Sequence, residues 1–175
     1  MLIIAVVGLA RSGKDTFASY LERKYGFKRF DFYSDVIVPL MKEQKIKPTK
    51  ANAGKFGNSM RQKFGMGVFG AKMAQIIRGN EKVVVTGARS LEELAELEKV
   101  SEKFYIVRVE AARELRFSRR SELDPKNENE FFARDNDDLM NKGLDRVLKA
   151  SELVVKNNST ISDFEKAIDE LMKRI

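Results

Sequence analysis

The sequence predicts an α/β protein with about five parallel strands between two helical layers, a three-layer sandwich. Five apolar, β-branched or aromatic runs are typical of strands, and amphipathic helical patterns lie between them, which indicates βαβ units. The 175 residues are enough for one domain with a buried core. The predicted strands cover residues 2–7, 28–33, 82–86, 103–109 and 152–156.

The first and third predicted strands are apolar throughout, as expected of central strands that helices cover on both faces. Phe17, Leu21 and Tyr25 repeat every four residues and predict an amphipathic helix that begins near Gly13.

Two segments interrupt the alternation. Residues 35–80 are too long for one crossover helix and predict a helical insertion, and residues 121–137 are polar and turn-rich, typical of a mobile flap. We therefore expect one domain with a core at 1–34, 81–115 and 138–175, an insertion at about 35–80 and a lid at about 116–137.

Composition excludes several kinds of chemistry. The chain has no cysteine and no histidine, so thiol catalysis, disulfides and zinc–thiolate sites are excluded. No apolar run reaches the roughly 20 residues of a membrane helix, and we expect a cytoplasmic protein without membrane contact. The net charge of +7 favours polyanionic partners, unless it is only spread over a solvated Lys/Glu-rich surface.

The segment after the first strand matches a phosphate-binding loop. Gly8 and Gly13-Lys14 satisfy G-x-x-x-x-G-K, with an apolar strand before the segment and an amphipathic helix after it. Glycines let the backbone wrap around phosphates, the helix N-terminus adds positive charge, and Lys14 would reach the β- and γ-phosphates. The sequence predicts an ATP site formed by Gly8, Ala10, Arg11, Ser12, Gly13, Lys14, Asp15 and Thr16.

Asp15 stands where Ser or Thr usually ligates Mg²⁺ in such loops, and Thr16 follows it. A carboxylate is a good ligand for Mg²⁺, so we predict that Asp15 belongs to a magnesium site. The alternative is that Asp15 only occupies the first turn of the helix, where it interacts favourably with the helix dipole.

A second glycine pattern, Gly65-Met66-Gly67-Val68-Phe69-Gly70, matches the dinucleotide fingerprint G-x-G-x-x-G. That fingerprint must follow a strand, whereas a helical pattern precedes this one. We interpret it as a connection between two helices.

Together these features resemble the small P-loop kinases, that is, the nucleoside and deoxynucleoside monophosphate kinases and dephospho-CoA kinase. The resemblance covers the whole chain and is nearest to archaeal members of this group whose substrate is unsettled. It implies a P-loop NTPase fold, ATP and Mg²⁺ as cofactors, and phosphoryl transfer to a small nucleotide-like acceptor. The segment Leu153–Thr160 resembles the last strand and loop of these proteins, which implies that Asn157 or Asn158 contacts the adenine.

The resemblance also implies acceptor-binding residues. Ser34 and Asp35 follow the second strand where these kinases carry Ser/Thr-x-Asp, although Asp35 could simply cap a helix at Val36–Glu43. Arg61 and Arg89 occupy positions at which the family often binds the acceptor phosphate. For Arg61 the alternative is an ordinary surface arginine.

Thr86 departs from the family pattern. Residues 83–89 resemble the V-x-D-G-x-R segment of these kinases, whose Asp often holds the Mg²⁺ hydration shell, and Thr86 replaces that Asp. Without that carboxylate, metal binding and efficient turnover are less expected, unless Asp15 supplies the missing negative charge at the metal.

Four arginines belong to the predicted lid. Arg116, Arg119 and Arg120 share one face of a predicted helix, and Arg134 lies on the far side of the flap. In the family such arginines close over the transferring phosphoryl group. The alternative is a solvated basic face paired with nearby glutamates.

We predict a kinase that uses Lys14 and the lid arginines, with ATP and a small phosphorylated acceptor as partners. The rival is a nucleotide-dependent switch or assembly ATPase that acts on a protein or RNA, and a third interpretation is a polynucleotide kinase. A nucleic-acid partner stays open but is not favoured. The sequence leaves the acceptor, ATP or GTP preference and the oligomeric state undetermined.

Overall fold

The computed structural model describes residues 1–140 and 143–175. Its five strands form one parallel sheet in the order β2-β3-β1-β4-β5, so the expected α/β fold with five parallel strands is confirmed. The strands are β1 (Leu2–Val7), β2 (Lys28–Asp31), β3 (Lys82–Thr86), β4 (Lys103–Glu110) and β5 (Leu153–Lys156).

Helices connect these strands and cover both faces of the sheet. They are α1 (Lys14–Tyr25), α2 (Val38–Glu43), α3 (Lys50–Phe64), α4 (Val68–Ile76), α5 (Leu91–Glu98), α6 (Arg113–Ser118), α7 (Glu128–Met140), α8 (Leu144–Lys149) and α9 (Ile161–Met172). No helix in the described ranges is both long and apolar enough to cross a membrane.

The core consists of two apolar clusters, one on each face of the sheet. Side chains alternate along β1, so Ile3 belongs to the cluster that contains Phe69 and Met73 of α4. Ile4 belongs to the opposite cluster, which contains Phe17 of α1. All five side chains are fully buried, and burying each one stabilises the fold by about 1.5–3 kcal/mol.

β2 ends at Asp31, two residues before its predicted end. The Asp31 carboxylate accepts hydrogen bonds from the backbone N–H groups of Tyr33 (3.0 Å) and Ser34 (3.1 Å), and it thereby caps a π-helical segment at Phe32–Ile37 that continues into α2. Asp35 lies inside this segment, so the expectation that Asp35 caps the helix is wrong. Its carboxylate instead accepts the backbone N–H of Asp31 at 2.7 Å.

The second glycine pattern connects two helices, as predicted. α3 ends at Phe64, Gly65 follows with a φ of 90°, and α4 begins at Val68. This segment therefore lacks the strand that a dinucleotide-binding fingerprint requires.

The carboxyl ends of the parallel strands meet at one edge of the sheet, which is where α/β proteins bind ligands. The glycine loop leaves β1 at this edge and Asn157 follows β5 there. Asp31 and Thr86, the last residues of β2 and β3, are paired in the register of the sheet. This edge brings the predicted site residues together.

Candidate active site

The glycine loop adopts a conformation that requires its glycines. Gly8 has a φ of 150° and Gly13 a φ of 110°, and a side chain at either position would collide with a neighbour. At Gly8 the neighbour is the Val109 carbonyl oxygen, and at Gly13 it is the amide nitrogen of Asn157. Arg11, with a φ of 61°, is a non-glycine residue in the left-handed region.

Lys14 begins α1 at the end of this loop. Its ammonium nitrogen donates to the Leu9 carbonyl oxygen at 2.8 Å, so the side chain folds back over its own loop. Desolvation lowers the pKa of Lys14 from the ordinary 10.5 to about 8, although the nearby charge of Asp15 opposes this shift. A phosphate group in the loop would stabilise the charged form.

Asp15 and Thr16 are exposed on the first turn of α1. The Asp15 carboxylate pairs with Arg29 of β2 at 2.8 Å, and its side chain is 79% exposed. Arg29 also donates to Ser19 at 2.8 Å, which fixes the guanidinium beside α1. To reach a magnesium ion at the loop, Asp15 would have to leave this ion pair.

Asp31 is a carboxylate at the site that sequence analysis did not select. Besides capping Phe32–Ile37, it accepts a hydrogen bond from the Thr86 hydroxyl at 2.8 Å. In the register of the sheet it lies directly beside Thr86, where the sequence resemblance led us to expect a carboxylate. A polar residue at the carboxyl end of a parallel strand is a candidate for ligand binding. The sequence predicts a strand that continues to residue 33, and Asp31 therefore did not stand out as its last residue.

A cavity of about 430 Å³ opens beside the glycine loop. α3 contributes the small residues Ala53, Gly54 and Gly57, and the end of β1, Asp31 and the segment after β3 also line the cavity. The charged or polar lining residues are Lys14, Asp31, Tyr33, Asn58, Arg61, Arg89, Arg134, Asp137 and Asp138. The predicted Ser34 and Asp35 do not line it; both are tied to the backbone turn after β2.

Arg61 and Arg89, predicted to bind the acceptor, both line this cavity and both depend on Glu93. The Glu93 side chain is fully buried and accepts the Arg61 guanidinium at 2.7 Å and the Arg89 backbone N–H at 2.8 Å. The Arg89 guanidinium pairs with Asp138 of α7. Glu93 therefore fixes the positions of both arginines, a role that no local sequence pattern indicated.

Arg116 of the lid is buried against the glycine loop. Its guanidinium forms a bidentate pair with Asp135 of α7 at 2.6 and 3.1 Å. It also donates to the Ala10 carbonyl oxygen at 3.2 Å. Breaking a buried pair of this kind typically costs about 3–5 kcal/mol, so Asp135 fixes the Arg116 guanidinium firmly, and the hydrogen bond to Ala10 connects it to the loop.

Arg119 lies near the loop but is only partly engaged. Its Nη2 approaches the Asn157 amide oxygen at 3.5 Å, while Nη1 is buried without a hydrogen-bond partner among the described residues. The Asn157 amide nitrogen donates to the Ser12 carbonyl oxygen at 2.9 Å, so Asn157 supports the loop directly. Arg120 is exposed and stacks on the Phe117 ring, 4.2 Å from its centroid.

Asp124 connects the lid to the loop on the other side. It accepts from Arg11 Nε at 2.7 Å and from Arg134 Nη1 at 2.9 Å, and its side chain is 2% exposed. Burial opposes ionisation, but the Ser121 backbone N–H and the two arginines outweigh it and hold the pKa of Asp124 well below its usual range. The lid is thus closed onto Arg11 by an ionised carboxylate.

The residues at this edge fit a magnesium ion that arrives with a nucleotide. Mg²⁺ keeps several waters and needs only one or two protein carboxylates beside phosphate oxygens. Asp31 lines the same cavity as Lys14 and Gly8. Within the described ranges there is no cluster of three acidic side chains that would hold a metal by itself.

Known structures and sequences were compared with this chain. A shikimate kinase from Bacteroides thetaiotaomicron superposes with a TM-score of 0.66 at 12% identity, over 99% of this chain and 97% of that one. At this low identity the likeness shows the fold alone, a kinase-like P-loop fold. No protein-family model matches the sequence.

Relatives among curated sequences extend over nearly the whole chain. A UPF0200 protein from Hyperthermus butylicus is 30% identical over 180 residues, which cover 99% of this chain and 95% of the relative. A UPF0200 protein from Methanosarcina mazei is 30% identical over 178 residues, which cover 98% of this chain and 94% of the relative. On these similarities, the chain belongs to the UPF0200 protein family.

Proposed function

We propose that this protein transfers the γ-phosphoryl group of ATP to a small nucleotide-like acceptor held in the cavity. One observation carries the proposal: a single cavity joins Lys14 of the glycine loop to Arg61 and Arg89. Binding a donor and an acceptor side by side supplies the positioning on which phosphoryl transfer depends.

On the nucleotide side, the loop backbone and Lys14 bind the β- and γ-phosphates. Arg116 and Arg119 add positive charge from the lid, and the buried Nη1 of Arg119 has an unused donor for a phosphate oxygen. Asn157 supports the loop through Ser12 and contacts the nucleotide from the β5 side.

Magnesium, when bound, neutralises charge on the phosphate oxygens. Asp31 would be the residue that holds the ion, because its carboxylate is fixed by Thr86 and by the turn after β2. Asp15 contributes only if nucleotide binding draws it away from Arg29.

On the acceptor side, Arg61 and Arg89 bind an anionic group, and the small residues Gly54 and Gly57 leave room for the rest of the molecule. A volume of about 430 Å³ lies within the range of small-ligand pockets. A nucleoside or deoxynucleoside monophosphate, or part of dephospho-CoA, satisfies both conditions.

In the transfer itself, an acceptor oxygen attacks the γ-phosphorus while the bond to the β–γ bridging oxygen breaks and ADP leaves. Lys14 and the lid arginines offset the charge that develops on the transferring group. Arg134 lines the cavity beside Asp124 and so lies between the lid and the acceptor.

ADP formation measured with each candidate acceptor tests the proposal. We expect turnover that depends on one acceptor class and that is lost in Lys14→Ala, because Arg11, the other cation of the loop, is already bound to Asp124 and Ser121. Slow ADP formation that is equal with and without every acceptor would show a switch or assembly ATPase instead.

A further inference from the structure

The net charge of this protein is concentrated in one segment. Residues 35–80 hold nine Lys or Arg against two Asp or Glu, which gives the segment a charge of +7. The remaining residues hold 24 of each kind, so they contribute no net charge. The positive field of the molecule therefore originates in the insertion that forms one wall of the cavity.

Most of these basic side chains face solvent and do not pair. Those on the insertion that are exposed are Lys42, Lys45, Lys47, Lys55, Lys63, Lys72 and Arg78. None of the seven forms an ion pair with any residue in the described part of the chain. Some lysines elsewhere do pair, as Lys149 does with Asp145 and Lys173 with Glu170. The unpaired insertion cations are available to an external polyanion.

Some of the basic residues lie close to the mouth of the cavity. Tyr33 lines the cavity, and its hydroxyl donates to the carbonyl oxygen of Pro48, the neighbour of Lys47, at 3.3 Å. Lys55 follows Gly54, which lines the cavity from α3. Positive charge therefore continues from the cavity onto the outer surface of the insertion.

We propose that this surface, defined by Lys45, Lys47, Lys55 and Tyr33, binds a single-stranded polynucleotide whose end enters the cavity. Proteins that bind single strands combine cations that follow the backbone with aromatic side chains on which bases stack. Tyr33 is 39% exposed at the cavity and supplies such a ring.

An anionic membrane is the rival partner for unpaired lysines, and the exposed side of α3 disfavours it. A helix that lies in a membrane surface needs an apolar face opposite its charges. From residue 52 onward, the exposed positions of α3 are Gly54, Lys55, Asn58, Ser59, Gln62, Lys63 and Phe64, and one aromatic ring among them does not make an apolar face. The cavity also suits one terminal nucleotide better than a flat lipid surface.

The strand-binding surface rests on the charge distribution and on the exposed Tyr33 ring at the cavity, and only the role of the strand end as acceptor depends on the proposed phosphoryl transfer. Fluorescence anisotropy of a labelled single-stranded oligonucleotide of about 12 nucleotides, titrated without ATP at several salt concentrations, measures binding separately from turnover.

The decisive variant combines Lys45→Gln, Lys47→Gln and Lys55→Gln. We expect it to weaken binding about 10- to 100-fold and to lower the slope of log Kd against log salt concentration by about 2. The matched control combines Lys149→Gln, Lys166→Gln and Lys173→Gln, which removes the same charge from α8 and α9. The control should bind nearly as the parent protein does, and circular dichroism should show both variants folded.

Three results would overturn the proposal. If the two triple variants lost the same oligonucleotide affinity, the strand would be responding to the net charge of the protein and not to this surface. If the parent protein did not bind the oligonucleotide even at low salt, the surface would not be a strand-binding surface. Sedimentation with phosphatidylserine vesicles that is lost only in the insertion variant, together with unchanged oligonucleotide affinity, would assign the lysines to a membrane. Because ATP is absent throughout, none of these results bears on the acceptor screen.

Discussion

Thr86 donates its hydroxyl hydrogen to Asp31 across neighbouring strands, with 2.8 Å between Thr86 Oγ1 and Asp31 Oδ2. Thr86 is the residue that lacks the carboxylate expected at the end of the third strand. This hydrogen bond places the carboxylate of Asp31, the last residue of β2, beside Thr86, where a carboxylate was expected. The site therefore has an acidic group near the expected metal position, contributed by another strand.

Asp31→Asn should weaken Mg²⁺-dependent ATP binding by about tenfold or more, which is typical for residues that orient the ligands of a metal. Asp15→Asn should have a smaller effect, because Arg29 already engages the Asp15 carboxylate. Titration of ATP in Mg²⁺ and then in EDTA measures the metal-dependent part for each variant. A larger metal-dependent loss in Asp15→Asn would instead support the magnesium role that the loop sequence predicts.

At alkaline pH, ATP binding should be accompanied by the uptake of a proton at Lys14. Its pKa of about 8 in the nucleotide-free protein must rise when phosphates bind, because they stabilise the ammonium. Above pH 8, affinity should fall with increasing pH by up to about tenfold per unit, and binding at pH 9 should take up about one proton.

Calorimetry in buffers of different ionisation enthalpy measures this uptake. Lys14→Arg is the control, since its guanidinium stays charged and should show no uptake from this position. If the parent and Lys14→Arg take up equal numbers of protons, Lys14 is not the group that titrates.

Asp124→Asn should release the lid. The variant keeps the shape of the side chain but loses the charge that holds Arg11 and Arg134. We expect faster amide hydrogen exchange across residues 116–137 in the variant without nucleotide, and smaller differences once an ATP analogue supplies phosphate partners for the arginines. Unchanged exchange in Asp124→Asn would show that the remaining contacts with the loop, from Arg116 to Ala10 and from Arg11 to Ser121, hold this segment without the Asp124 charge.

Glu93→Gln should raise the KM for the acceptor more than it lowers kcat. Glu93 does not line the cavity, but it holds the Arg61 guanidinium and the Arg89 backbone. Losing its charge weakens hydrogen bonds that contribute about 1.5–3 kcal/mol each when one partner is charged.

Steady-state kinetics with a fixed ATP concentration separates the two effects, and Glu96→Gln on the same helix is the matched control, because Glu96 pairs only with Lys99 among the described residues. If Glu93→Gln lowered the thermal stability but left the KM for the acceptor unchanged, Glu93 would have only a structural role.

Sequence alone predicted the strands and the phosphate loop because their signals are local. The run of apolar residues in β1 and the four-residue repeat of Phe17, Leu21 and Tyr25 depend only on which faces are buried. The glycines at Gly8 and Gly13 follow from backbone angles that other residues rarely adopt. The predicted binding roles of Asp15, Asp35, Arg61, Arg89 and the lid arginines stay predictions until nucleotide and acceptor binding are measured.

Only the tertiary structure decided which charged groups share the site. Thr86 and Asp31 are 55 residues apart, and Glu93 is 32 residues from Arg61, so no spacing rule connects them. The direction of a charged side chain depends on the partner that neutralises it, and that partner comes from whichever element packs alongside. For this reason neither the pairing of Asp15 with Arg29 nor the position of Asp31 as one of the acidic groups that line the cavity could be predicted from the sequence.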